Sequence, residues 1–221
     1  MSDALAVRYE TPAAVRIVDI AAKGILVFML LMAVIDPVGS NLQNKAAEAR
    51  AIGYPLLSFT IPVLWLLFWK DRASFPWVPD LLVTISCFSD ILGNRMDLYD
   101  QIWWFDNWMH FQNTGILAAA VVLLTMHHTT SRGRVVERAL AFGATAAIAW
   151  EIAEYFAFIS GHSERQFAYT DTLSDLWWGV LGSVVMALVI HSLWRIGWLR
   201  QAAPQLEITA EDKAVRLNDQ G

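Results

Sequence analysis

Apolar residues along this chain gather into blocks of about 20, divided by short charged stretches. They neither alternate as in a strand nor form the single stripe of a soluble amphipathic helix. The cleanest block, Ala51 to Trp69, is free of charge and closes on Trp65, Phe68 and Trp69 before Lys70, Asp71 and Arg72. As a helix it reaches across about 30 Å of hydrocarbon. Pro55 lies in its first turns, whereas Pro62 is central and should kink it, because proline has no donor for the carbonyl one turn back. An earlier block, about Ile17 to Ile35, carries Asp19 and Lys23 four residues apart, so that they can pair near its start. It begins late and no small-x-small cleavage site follows, which reads as a retained anchor rather than a signal peptide.

Three more blocks are each long enough to span: Trp103 to Met126, Val135 to Ser160 and Leu173 to Trp194. The weakest, Trp77 to Gly93, is interrupted by Asp80 and Asp90. Counting it gives six spans; leaving it out would put the basic loops on opposite sides of the membrane. The expected fold is all-α, a polytopic transmembrane bundle of six helices. One side then holds Arg8, Arg16, Lys70, Arg72, Arg132, Arg134, Arg195 and Arg200, with Lys213 and Arg216 further along the tail. The other holds only Lys45, Arg50, Arg95 and Arg165. The positive-inside rule places both termini in the cytoplasm. Tryptophans agree: Trp69, Trp77, Trp194 and Trp198 would ring the inner interface, and Trp103, Trp104, Trp177 and Trp178 the outer one. The division is a flexible segment 1–14, a membrane domain 15–196 and a polar cytoplasmic tail 197–221.

Composition fits lipid as the solvent. The chain is 56% apolar and 17% charged, with a mean hydropathy of +0.41, whereas a soluble domain carries about 25% charge. A net charge of -5 offers no basic field for nucleic acid, and the lone Cys87 cannot close an internal disulfide. No internal repeat supports an inverted-repeat transporter.

Ionisable residues inside spans cost about 2.5–3.5 kcal/mol each at the bilayer centre and need a reason. Here they cluster: Asp106 and His110 in the fourth span, Glu151 and Glu154 in the fifth, Asp171 and Asp175 at the entrance of the sixth. The fourth and sixth spans run inward and the fifth outward, so all six residues fall in the outer half. His110 and Glu154 come out about 9 Å deep, Glu151 about 13 Å, and Asp106 and Asp175 only about 3 Å. Asp106, His110 and Asn113 share one helical face, as do Ala147, Glu151 and Glu154. On the sixth span Asp175, Gly179, Gly182 and Met186 form a stripe whose glycines admit a neighbouring backbone.

Several carboxylates with one imidazole are a hard, oxygen-rich ligand set that repels itself or shares protons unless a cation or an arginine intervenes. The cation would be Mg²⁺, Mn²⁺ or Ca²⁺, with Zn²⁺ or Fe²⁺ admitted by His110; Arg95 and Arg165 are the alternative counter-charges. Plainer roles stand beside these. Asp106, Asp171 and Asp175 suit helix N-termini, Glu151 and Glu154 could be protonated structural partners, and His110 a packed histidine. His127, His128 and His162 read as loop residues, with His191 near the inner boundary. Asp80 and Asp90 read either as part of a proton path or as residues near helix ends reaching head groups.

The order Asp-x-x-x-His-Phe at Asp106 to Phe111, Glu-x-x-Glu at Glu151 to Glu154 and Asp-Thr-x-x-Asp-x-x-x-Gly-x-x-Gly from Asp171 to Gly182 resembles the YjdF-like bacterial inner-membrane proteins. More distantly it resembles VanZ-like membrane proteins, although Gly179 stands where an Asn is usual and Glu154 where VanZ-like proteins carry Gln. The resemblance covers Asp90 to about Ile190. It implies a multi-pass protein of the bacterial inner membrane, with no assigned activity.

Three functions follow as expectations. The first is a metal-dependent hydrolase or transferase of a lipid or lipid-linked substrate, with metal-bound water as nucleophile. Glu151 or Glu154 would be its general base, and Asp106, His110, Glu151, Glu154, Asp171 and Asp175 the ligand set. The second is a proton- or cation-coupled transporter; the Ala/Val/Leu-rich stretches below His110 and Glu151 favour a one-sided pocket instead. The third is a non-catalytic assembly protein whose buried acids fix helix pairing. Oligomeric state is not legible in the sequence.

Overall fold

The structure is a computed structural model that describes residues 11–43, 45–71, 73–157 and 168–202. Every helix or strand element among them is a helix: α1 (Ala13–Ile35), α2 (Ala47–Ser58), α3 (Thr60–Phe68), α4 (Trp77–Arg95), α5 (Leu98–Gln101), α6 (Phe105–Thr125), α7 (Arg132–Ala157) and α8 (Ala168–Arg195). The all-helical class expected from the sequence is met. Three rods, α1, α2 with α3, and α8, are long and apolar enough to cross a membrane by length and composition. Acids in α4 and α7, and Asp106, His110, Gln112 and Asn113 in α6, reduce the apolar character of these helices.

The side chains are arranged for an apolar solvent. Ile17, Ile20 and Phe28 on α1 and Leu64, Leu66 and Phe68 on α3 face outward, and Ile35 is 74% exposed. A water-soluble fold would bury such residues; a lipid-facing one leaves them outside. The interior is correspondingly polar in places, which explains α4. The block with the weakest apolar signal is the central helix, with α1, α2, α3, α5 and α6 all packed against it. Its Asp80, Thr84, Cys87, Asp90, Ile91 and Asn94 are buried against those neighbours. Asp80 and Asp90 therefore do not reach head groups.

The kink expected from Pro62 falls one turn earlier, where α2 ends at Ser58 and α3 starts at Thr60. Pro62 cannot donate to the Ser58 carbonyl, so that oxygen is released from the helical ladder. Lys23 Nζ of α1 donates to it instead, at 2.8 Å. The break and the buried lysine thus satisfy each other.

On the other side of the fold α6 and α8 form the most extensive helix pair, with α7 lying against both. Small residues bring the backbones together: a Cβ at Gly115 would lie 2.8 Å from the Gly182 carbonyl oxygen, and one at Gly182 would land on the Phe111 carbonyl. Gly143 of α7 meets the Ser183 hydroxyl in the same way. This is the close approach expected of the glycine stripe on the sixth span.

Two expectations need correction. Trp194 does not join an interfacial ring: it is 3% exposed, in a cluster with Val135, Ala139, Ala187 and Ala202. The cause is the chain after α8. Gly197 (φ +94°) and Leu199 (φ +57°) turn it back, and Arg200 Nε donates to the Trp194 carbonyl at 3.3 Å. Leu199 and Ala202 therefore pack on the helices, while 203–221 lie outside the described residues, as do 1–10. The last helix also starts earlier than expected, at Ala168 rather than Leu173.

Two connecting segments are tied by charge. Lys45, after α1, lies 2.6 Å from Asp100 and 3.2 Å from Asp97, between α4 and α6. Asn41 and Gln101 donate to the Asp97 carboxylate as well. Hydrogen bonds from Asn41 first, then from Gln101, hold the Asp97 carboxyl well below its usual range. Partial burial works to lower the Lys45 ammonium, but hydrogen bonds to Asp100 and Asp97 and their charges outweigh it and raise Lys45. The Asp97 contribution is present above the ordinary carboxylate pKa of about 3.9 and is lost only as pH falls through the lower folded value. The Lys45 contribution is present below about 10.4 and lost as pH rises through the higher folded value. An amine-reactive reagent at mildly alkaline pH should accordingly label Lys45 more slowly in the wild type than in a D97N/D100N double variant, as peptide mass mapping would read. Equal labelling rates would exclude the raised Lys45 value.

Candidate metal centre

The four acids of the centre come from three helices, α6, α7 and α8. Asp106 is in the first turn of α6, where its charge suits the helix dipole, and His110 sits one turn further along the same face. Glu151 and Glu154 lie near the C-terminal end of α7 and Asp175 in the second turn of α8. Antiparallel packing brings these positions to one level. The glycine contacts between α6 and α8 draw them close.

His110 is the centre of the arrangement. Its Nε2 lies 3.5 Å from Asp106 Oδ1 and 3.7 Å from Asp175 Oδ2, and its Nδ1 lies 3.7 Å from Glu151 Oε1. These separations are at or beyond the limit of a direct hydrogen bond. They are also the spacing of ligands that share an ion, since donors about 2.0–2.2 Å from one cation stand some 3–4 Å apart. Two groups of three have all their ligand atoms within 4.8 Å of one another: Asp106, His110 and Asp175, and His110, Glu151 and Glu154. The imidazole is common to both, so the two ring nitrogens face two pairs of carboxylates.

Burial raises the electrostatic demand. Asp175 is 2% exposed and Glu151 is also buried, while Asp106 is more open. Asp175 Oδ1 and Glu151 Oε1 are sealed from solvent without a hydrogen-bond partner among the described residues. Four carboxylates surround one imidazole, and no Arg or Lys forms an ion pair with them among the described residues. Arg95, one of the two expected counter-charges, has a buried Nη1 without a hydrogen-bond partner and makes no ion pair with the cluster among those residues; Arg165 lies outside them. A cation, shared protons, or both must offset the charge.

The sequence-derived set therefore divides. Asp106, His110, Glu151, Glu154 and Asp175 come together. Asp171 is exposed in the first turn of α8 and belongs to neither group of three. Asp175, expected about 3 Å inside the boundary and open to a helix-capping role, is instead a buried residue two turns into a longer helix. Asn113 turns to α4, where its Oδ1 accepts from Ser89 Oγ at 3.1 Å. His127 and His128 are in the α6–α7 connection, with ring centroids 4.0 Å apart, and His162 lies outside the described residues.

A second polar network, not read from the sequence, adjoins this region. Arg50 Nε of α2 pairs with Asp90 Oδ2 of α4 at 3.0 Å, and Tyr99 donates to Asp90 Oδ1 at 2.7 Å. The Tyr54 hydroxyl donates to the same carboxylate, and its ring stacks on Trp150, the residue before Glu151, at 6.5 Å. Asp90 is thus fully partnered. The only local signal was an arginine at the edge of an apolar block, which does not say which carboxylate it meets.

A model of the family described as predicted membrane protein (DUF2238) matches residues 20–195, which contains α4, α6, α7, α8 and every residue of the centre. The chain belongs to the DUF2238 family. No curated protein and no solved structure matches it. The assignment agrees with the YjdF-like resemblance, a membrane family of unassigned activity. In this DUF2238 protein the acidic and histidine side chains form groups able to hold a metal ion.

Proposed function

We propose that this protein is a six-span protein of the bacterial inner membrane, with both termini cytoplasmic, that holds a divalent cation at the His110 centre. The single observation that carries the metal reading is the pair of three-ligand groups meeting at one imidazole, with buried carboxylate oxygens left unpartnered. Six spans count α2 and α3 as one broken rod and add α4, α6 and α7, whose Asp80, Asp90 and Glu151 are buried against neighbouring helices. With the basic loops inside, the centre opens outward. Exposed Trp103, Trp104, Trp108, Trp177 and Tyr169 then surround its mouth, at the level where aromatic side chains meet lipid head groups.

The chemistry that fits is hydrolysis or group transfer on a lipid or lipid-linked substrate. A divalent cation here would lower the pKa of a bound water and polarise a substrate oxygen. Asp106, His110 and Asp175 would hold it, and Glu151 or Glu154 would accept the proton from water. Asp171, at the exposed rim, would steer a cation inward rather than ligate it in the closed set.

The test is elemental analysis of the full chain purified in detergent. The wild type should retain a divalent cation in stoichiometric amount, and Asp175→Asn and His110→Ala should each lose it by at least about tenfold, the effect usual for disrupted metal sites. A metal-free wild type that still binds none on reconstitution with Mn²⁺, Mg²⁺ or Zn²⁺ would end the metal reading. A second reading, a proton- or cation-coupled transporter, is favoured by one feature: the buried polar residues Asp80, Thr84, Ser86, Asp90 and Asn94 run along the length of α4. Cation-dependent uptake into proteoliposomes would support it.

A further inference from the structure

A separate charged cluster lies at the far end of α4. Asp80, in the first turn of α4, is ten residues before Asp90, which corresponds to about 15 Å along the helix axis. Lys23 Nζ of α1 lies 3.2 Å from Asp80 Oδ1 and 3.5 Å from Asp19 Oδ1. The same ammonium donates to the Ser58 carbonyl that Pro62 releases and to the Thr84 hydroxyl, and it faces the Phe59 ring at 5.6 Å from its centroid. Thr84 Oγ1 is also 3.0 Å from Asp19 Oδ1. Lys23 fills the space between the two acids.

The charge does not balance. Asp19 and Asp80 are each 1% exposed and would bring two negative charges, against one from Lys23. Hydrogen bonding does not balance either: Asp19 Oδ2 and both Asp80 oxygens have no hydrogen-bond partner among the described residues. Independently of the acids, the fully buried Ser58 hydroxyl also lacks one. Among the described residues no second Lys or Arg forms an ion pair with Asp19 or Asp80. Ile61 of α3 and Leu117 and Ala120 of α6 pack with Val83 of α4 in an apolar cluster, and between Asp80 and Asp90 α4 carries one other titratable side chain, the buried Cys87.

We propose that Asp19, Lys23 and Asp80 form a proton-binding site, distinct from the His110 centre, in which the two carboxyl groups hold one exchangeable proton between them. A proton is favoured over a metal ion because the position between the acids is already filled by the ammonium. One proton makes the cluster electrically neutral and takes up one of the carboxylate oxygens that have no hydrogen-bond partner. Its release leaves a net negative charge in the protein interior. Loading and unloading therefore act on the contact between α1, α4 and the α2–α3 break, where Lys23 holds the released Ser58 carbonyl.

Infrared difference spectroscopy of the full chain in detergent tests this at neutral pH. Asp80→Asn should remove one carboxylic-acid C=O band per chain relative to wild type. Lys23→Met should add one, because both carboxyls must then be neutral. If Asp80→Asn does not fold, Asp19→Asn should give the same loss, and the Lys23→Met gain stands as a separate reading. Neither change occurring, or the wild-type band vanishing when sodium replaces choline in the buffer, would overturn the proposal. Because none of these variants touches the His110 cluster, the result is independent of whether that centre holds a metal.

Discussion

Gly182→Ala is expected to be among the most damaging single-methyl additions in this protein, and to empty the His110 centre without touching a ligand. The added Cβ would land on the Phe111 carbonyl, with the carbonyl carbon at 2.8 Å and the Cα at 3.0 Å. All three are backbone atoms of α6, so no side-chain rotation relieves the overlap. The two helices must separate or slide. Overpacking of this kind costs about 1–3 kcal/mol, and the absence of any soft atom puts this substitution at the top of that range or beyond it. His110 sits one residue before Phe111, and Asp175 is two turns before Gly182 on the facing helix. Moving α6 from α8 thus widens the 3.7 Å separation between His110 and Asp175. Thermal unfolding in detergent together with metal content would check both effects. Gly53→Ala is the control: nothing lies within 4 Å of its Cβ, so it should be neutral or gain up to about 1 kcal/mol from the better helix former. Equal stability of the two variants would contradict the close backbone contact.

Asp90→Ala should cost about 3–5 kcal/mol, because it leaves the Arg50 guanidinium buried without its carboxylate. Both partners are less than a tenth exposed, and Asp90 also accepts from Tyr99 and Tyr54. The loss arises mainly from the stranded charge rather than from the missing bond. Replacing the pair together, Arg50→Met with Asp90→Leu, should therefore recover most of the stability lost by the single variant. A double-mutant cycle on the unfolding midpoint reads the difference directly. If the double variant were no more stable than Asp90→Ala, the penalty would have to come from packing in α4. Because Tyr54 stacks on Trp150 beside Glu151, loosening this network should also weaken cation retention at the His110 centre.

The candidate centre was largely legible in the sequence because helical periodicity fixes which residues share a face. Asp106 with His110, and Glu151 with Glu154, are local relations, and antiparallel neighbours bring such pairs to one level. Asp175 required one more fact, the true start of α8 at Ala168, which turns a residue near the boundary into an interior one. Hydropathy does not reveal that extra turn, since Tyr169, Thr170 and Asp171 are polar enough to read as loop.

The polar helix α4 shows the limit from the other direction. Its acids made it the least convincing apolar block, yet it is the helix most surrounded by others, and its acids face partners rather than lipid. Hydropathy measures compatibility with lipid, and a helix shielded by protein is released from that requirement. Trp194 is the same lesson reversed: an aromatic at a block edge was expected at the interface, but a glycine-assisted turn brings Leu199 and Ala202 into its cluster.

The sequence by itself determined that this is an all-helical membrane protein, that its acids lie on a few helical faces, and that Pro62 breaks a long apolar rod. These are properties of spacing and of single residues, carried by backbone geometry. Only the tertiary structure decided which charges meet across helices beyond the local pairs: Lys23, already one turn from Asp19, with Asp80 beside a released carbonyl, and Arg50 with Asp90. Pairing between helices depends on their rotation and depth, and those are set by the glycine contacts and broken ends at which the rods pack.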